Sequence, residues 1–248
     1  MTKFAITLGM ALASSTAAFA GGMSEPVVMI EPAAAPVMAS SHDWSGFYAG
    51  ANLGMNSGTT DYDGQYFLGG VATGPAATGA FDLDGSTAGL QAGYNMQSGN
   101  MVYGIEGDMN WGEVSGTGDP IDPLALDPTV PSSTLDQMGS IRARVGFTTG
   151  NVLLYATAGW ASASGTMGLT NLDGVGDDRT ADITANGWTG GIGAEIALSD
   201  RLSVKGEYLD SRLTMDEVQF GAVLPADYLA VNGTVDVKTF KIGLNYAF

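Results

Sequence analysis

Lys241-Ile-Gly-Leu-Asn-Tyr-Ala-Phe248, the last eight residues, alternate strictly between two faces. Ile242, Leu244, Tyr246 and Phe248 fall on one side at period two; Lys241, Gly243, Asn245 and Ala247 fall on the other. On a water-soluble sheet such a strand is an aggregation-prone edge. In a barrel that crosses a lipid layer its edge is paired and its apolar face meets hydrocarbon.

The same alternation recurs upstream. It predicts eight strands, over 44–55, 86–96, 101–114, 136–147, 152–165, 186–198, 202–213 and 234–248. In the first, Phe47, Ala49, Ala51, Leu53 and Met55 oppose Tyr48, Gly50, Asn52 and Gly54. In the third, Tyr103, Ile105, Met109 and Trp111 oppose Gly104, Glu106, Asp108 and Asn110. In the fourth, Ile141, Ala143, Val145 and Phe147 oppose Ser140, Arg142, Arg144 and Gly146. The fifth is read with Leu154, Ala156, Ala158 and Trp160 outward. Connections alternate in length. Gln97–Asn100, Thr148–Asn151 and Ser199–Arg201 are tight polar turns, whereas 56–85, 115–135, 166–185 and 214–233 are expected to be long loops. Short turns on one rim and long loops on the other define an all-β fold, an eight-stranded antiparallel up-and-down transmembrane β-barrel, with both termini on the periplasmic rim. A soluble lipocalin-like barrel is the alternative. It would place the bulky apolar face inside and the polar face in water. Here one face is Gly, Ser, Asn and charge, and the other is bulky, with aromatics near the strand ends, so the lumen takes the small and charged set.

Before the barrel come two other regions. Lys3, the apolar run from Phe4 and the Ala18-Phe19-Ala20 site read as a signal peptide over 1–20, cleaved between Ala20 and Gly21. Residues 21–43, with Glu31-Pro-Ala-Ala-Ala-Pro36, form an Ala/Pro-rich linker, and the barrel occupies 44–248. There are no cysteines, so disulfides and thiolate metal sites are excluded. With 26 acidic against 9 basic residues the chain is no nucleic-acid binder.

Six ordered motifs carry a family resemblance: Trp44-Ser-Gly-Phe-Tyr-Ala-Gly-Ala-Asn-Leu-Gly54, Gly89-Leu-Gln-Ala-Gly-Tyr-Asn95, Gly104-Ile-Glu-Gly-Asp108, Ile141-Arg-Ala-Arg-Val-Gly146, Gly187-Trp-Thr-Gly-Gly191 and Val204-Lys-Gly-Glu-Tyr208. Together they resemble the outer-membrane protein beta-barrel domain family of Gram-negative porin-like surface antigens. The chain is also similar to the membrane domain of outer-membrane protein A, without a peptidoglycan-binding domain after Phe248. The resemblance implies a cell outer-membrane location, lipid and lipopolysaccharide as surroundings, and insertion by the barrel assembly machinery. Ile242, Leu244, Tyr246 and Phe248 resemble that machinery's C-terminal insertion signal.

The inward face offers one charged constellation: Glu106, Asp108, Glu195 and Glu207 against Arg142, Arg144, Lys205 and Lys241. Unpaired charge is costly in a narrow bore, so these groups are expected to interlock as a structural plug. Glu106 and Asp108 lie within cross-strand reach of Arg142 and Arg144. A gate or selectivity site is the competing reading. The four long loops hold 14 acids and one base, Arg179. They are candidates for divalent cations bridging to lipopolysaccharide, although Asp173-Gly-Val-Gly-Asp177-Asp178 lacks EF-hand spacing. No catalytic, cofactor or metal residues are assigned. His42 is the only histidine and sits in the linker, which leaves Ser-His and Asp-His chemistry without a base. The expected function is therefore a non-enzymatic structural and surface barrel; the alternative is a small porin passing ions or small solutes.

Overall fold

A computed structural model describes residues 42–120, 129–170, 178–221 and 228–248. The signal peptide, the linker as far as residue 41 and the Asp173–Asp177 stretch lie outside the described residues. Eight antiparallel strands close into a barrel in chain order: β1 Gly46–Leu68, β2 Val71–Ser98, β3 Met101–Thr117, β4 Val130–Thr149, β5 Val152–Thr170, β6 Arg179–Ala197, β7 Leu202–Gly221 and β8 Tyr228–Ala247. Closure is made by β1 on β8, in register from Tyr48↔Ala247 to Phe67↔Tyr228, so the terminal strand has partners on both edges. At the rim nearest the chain ends, Gly99-Asn100 and Gly150-Asn151 join strands in two residues. Gly99 and Gly150 sit at φ of 60° and 62°, which residues with a Cβ adopt only at a cost.

The strands are much longer than the alternation alone indicated. Crossing a bilayer takes about 9–11 tilted residues, whereas these run from 17 to 28. Most of what reads as loop is wall. Residues 56–68 and 71–85 form one hairpin, turned at Gly69-Gly70, and β3, β5 and β7 each extend several residues past their expected ends.

The reason those stretches escape notice is that their polarity inverts while their period does not. On β8, the outward residues Phe240, Ile242, Leu244 and Tyr246 are exposed and the inward Lys241 and Asn245 are buried. Higher on the same strand the outward residues are Lys238 and Asp236, and the inward ones are Val237 and Val235, both fully buried. β1 changes from outward Leu53 and Met55 to outward Asp61 and Asp63, with Tyr62 inside. β2 changes from outward Leu90 to outward Asp84 and Asp82, with Leu83 and Phe81 inside. Thus the half near the termini has a membrane barrel's pattern. The far half has the water-soluble pattern, with an apolar core of Phe81, Leu83, Val114, Leu135, Leu213 and Val235 among others. The soluble arrangement, weighed against the membrane one as an alternative, occurs in the same barrel stacked above it.

Bulges adjust the phase where the two halves meet. Between Leu135 and Gln137 on β4, and between Met215 and Val218 on β7, the register shifts. On β4 the inward set accordingly passes from odd residues (Ser133, Leu135) to even ones (Arg142, Arg144).

Candidate functional site

Midway along the lower half, the side chains of all eight residues of the inward constellation are buried and meet one another. Register explains part of this. Glu106 on β3 stands directly opposite Arg142 on β4, and Glu106 Oε1 accepts from Arg142 Nη2 at 2.7 Å. Glu195 stands opposite Lys205, and Glu207 opposite Lys241. These two adjacent pairs are not the contacts formed. Lys205 Nζ reaches across the bore from β7 to donate to Glu106 at 2.7 and 2.8 Å. Lys241 Nζ reaches Asp108 Oδ2 at 2.7 Å. Arg144 donates to Glu195 Oε2 at 2.9 Å and lies 3.5 Å from Glu106. Arg142 serves three acids, adding Glu207 at 3.1 Å and Asp108 at 3.8 Å.

The exchange of partners has a geometric cause. Long side chains rise perpendicular to the sheet and converge on the axis of an eight-stranded barrel, whose interior is just wide enough for them. Their charged tips therefore meet strands on the far wall more readily than their own neighbours.

Two tyrosines missing from the sequence-derived set complete the cluster. Tyr48 OH accepts from Arg144 Nη1 and donates to Glu106 Oε2, both at 2.8 Å. Tyr155 OH donates to Glu207 at 3.2 Å. The Arg144 guanidinium lies 4.3 Å from the Tyr155 ring centre and 5.5 Å from that of Tyr48, so it is also held by aromatic faces. The signal was present in the alternation, because both tyrosines share the inward parity of their strands. The sequence-derived set is defined by charge alone. Around them Ser140 donates to Asp108 at 2.6 Å and Asn245 to Glu195 at 2.8 Å, which satisfies oxygens the cations leave free.

The constellation can hold charge in place. Every carboxylate accepts from at least one cation. Among the described residues no group of three or more His, Asp or Glu side chains is placed to hold a metal ion. His42 lies at the mouth near the termini, its ring edge-on to Trp44 at 4.7 Å. Ile242, Leu244, Tyr246 and Phe248 all face outward, and Phe248 N donates to Phe47 O at 3.0 Å.

Outside the barrel, the outward apolar residues form a band bounded by Phe47, Tyr94 and Tyr246 at one level and by Trp111, Trp160 and Trp188 at the other. Such a band with aromatic girdles is what a lipid bilayer selects. The fold and this band define a β-barrel that spans a membrane. The family described as "Outer membrane protein beta-barrel domain" matches residues 27–248, and the chain belongs to it. It is 32% identical over 251 residues to the 31 kDa outer-membrane immunogenic protein of Brucella melitensis biotype 1, covering 96% of this chain and 98% of that one. It is 29% identical to the 25 kDa outer-membrane immunogenic protein of the same organism, covering 88% and 85%. Among solved structures, the outer membrane protein OprG from Pseudomonas aeruginosa is similar with a TM-score of 0.48 and 15% identity, covering 84% of this chain and 98% of that one. The protein is an outer-membrane β-barrel of the surface-antigen type, set in outer-membrane lipid.

Proposed function

We propose that this protein is a non-enzymatic structural barrel whose bore does not conduct, with its termini in the periplasm and its acidic upper wall outside the cell. The observation that carries the reading is that the bore is filled. Arg142 and Lys205, in its middle, are each 1% exposed and tied to carboxylates on opposite walls. Above them the apolar core closes the far half, and below them Trp44 packs with Val102, Leu153 and Tyr155. Orientation follows from the short turns, which in bacterial barrels lie on the periplasmic side. The outward wall of the far half carries Asp61, Asp63, Asp82, Asp84, Asp210 and Asp236. That wall suits solubility and low self-association, and it would attract divalent cations that bridge to lipopolysaccharide phosphates. The alternating terminal strand is the segment that an assembly machinery would read, and loss of Phe248 should then lower the amount of barrel in the membrane.

Planar-bilayer recording of the refolded full chain tests the central claim. The expected record is flat, without single-channel steps. Reproducible open steps would make the protein a small porin instead.

A further inference from the structure

The chain does not enter β1 along the barrel wall; residues 42–45 cross the mouth. His42 N donates to Gly150 O, in the turn after β4, at 3.2 Å. Trp44 N donates to Gln97 Oε1, at the end of β2, at 2.8 Å, and its indole Nε1 donates to Thr148 Oγ1 on β4 at 3.0 Å. Ser45 Oγ accepts from Gln97 N at 3.1 Å. Trp44 is 7% exposed and completes an apolar cluster with Val102, Leu153, Tyr155 and Ala197, which lies below the ion pairs. Beside the indole, the half of the mouth lined by Arg201, Ser203, Asn245 and Glu195 retains a cavity of about 20 Å³, room for about one water.

Two features distinguish this crossing from a strand. None of its hydrogen bonds belongs to a sheet ladder: one is made to the Gln97 side chain, one by the Trp44 indole to Thr148 Oγ1, one by Ser45 Oγ to the Gln97 backbone N–H, one to the Gly150 turn carbonyl, and one stays inside the segment, from Ser45 N to Asp43 Oδ1. It also joins β1 at Gly46, whose φ of 120° is closed to most side chains. A Cβ there would find only Phe248 O, at 4.0 Å, so the joint has space around it.

We propose that residues 42–45 are a latch: Trp44 closes the short-turn mouth, and rotation at Gly46 lifts it to admit water to the lower bore around Glu195 and Arg144. The latch acts on this mouth alone, because the apolar core of the far half seals the other end. That confinement rests on the non-conducting reading, whereas the hydration of this mouth is measured separately from conductance. Closed, it keeps the Arg144–Glu195 pair dry; open, it hydrates that pair.

The chain has no cysteine, so a single Val102→Cys under the indole is a clean reporter. The measurement is its reaction rate with a water-soluble maleimide in the full chain, refolded in detergent and verified as folded by heat-modifiable mobility. With Trp44 present the reaction should be slow. Adding Trp44→Ala should speed it by roughly tenfold or more, as local opening exposes what was protected. Gly46→Val, which cannot hold the observed φ, should give a similar rise with the indole retained. Gln97→Ala with Thr148→Val, which removes two anchors and leaves the ring, should do the same and serves if the Trp44 variant does not fold. Equal rates with and without these changes would overturn the latch. A rise in Trp44→Ala alone would also overturn it, since Trp44 would then be a fixed plug with no hinge.

Discussion

Arg142 and Arg144 illustrate how much a single side chain carries in this bore. Their inward facing is legible from parity, and the Glu106–Arg142 contact from adjacency. Which carboxylates depend on them is not. Glu106 and Asp108 keep Lys205 and Lys241 if both arginines are removed. Glu195 and Glu207 keep no cation among their observed partners, only Ser203, Asn245 and Tyr155. Breaking a buried pair on one side costs on the order of 3–5 kcal/mol, so Arg142→Ala with Arg144→Ala should lower the unfolding free energy in urea by at least that order. Adding Glu195→Gln and Glu207→Gln should recover much of the loss. Adding Glu106→Gln and Asp108→Asn, the compensation that sequence adjacency suggests, should recover less, because it strands Lys205 and Lys241. A double variant as stable as the native protein would mean that the arginines are solvated.

β7 and β8 show the two solvents that one strand serves. Leu244 faces outward within the apolar band, whereas Thr214 faces outward in the far half. Arg at a lipid-facing midplane site costs roughly 2–4 kcal/mol. Ile242, midway between the Tyr246 girdle and Lys238, is such a site, so Ile242→Arg should destabilise the barrel in lipid vesicles by about that amount, and Thr214→Arg by less than about 0.5 kcal/mol. Equal costs would place the bilayer boundary elsewhere. In the same far half, Arg212 Nε and Nη2 grip Asp236 at 2.7 and 2.9 Å, and these hydrogen bonds hold the Asp236 carboxyl below its ordinary 3.8. A carboxyl with a depressed folded pKa stabilises the fold above its unfolded value and loses that contribution as pH falls through the folded one. The stability difference between native protein and Asp236→Asn should thus be constant above about pH 5 and vanish in stronger acid. A difference that persists unchanged at low pH would show that charge on Asp236 is not its source.

At the scale of the whole molecule the bore is packed at three heights by three kinds of chemistry: an indole at the mouth, ion pairs in the middle and an apolar core in the far half. If the bore is non-conducting, as proposed, these layers act as seals in series, and such seals need only one intact member. The Arg142→Ala, Arg144→Ala variant should accordingly remain silent in planar bilayers although it is less stable. Ion steps from it would show that the far core leaks and that the arginines are the gate. Period-two alternation determined the strand number, their order, the inward charges and the lipid-facing band, because each is a local property of one strand and its turn. The length of the wall, the polarity inversion at Lys238, the cross-bore partners of Lys205 and Lys241 and the Trp44 closure were decided by tertiary structure. They depend on how far a strand outruns the bilayer and on which walls face each other once the sheet has curled, and neither distance is encoded by neighbours in the chain.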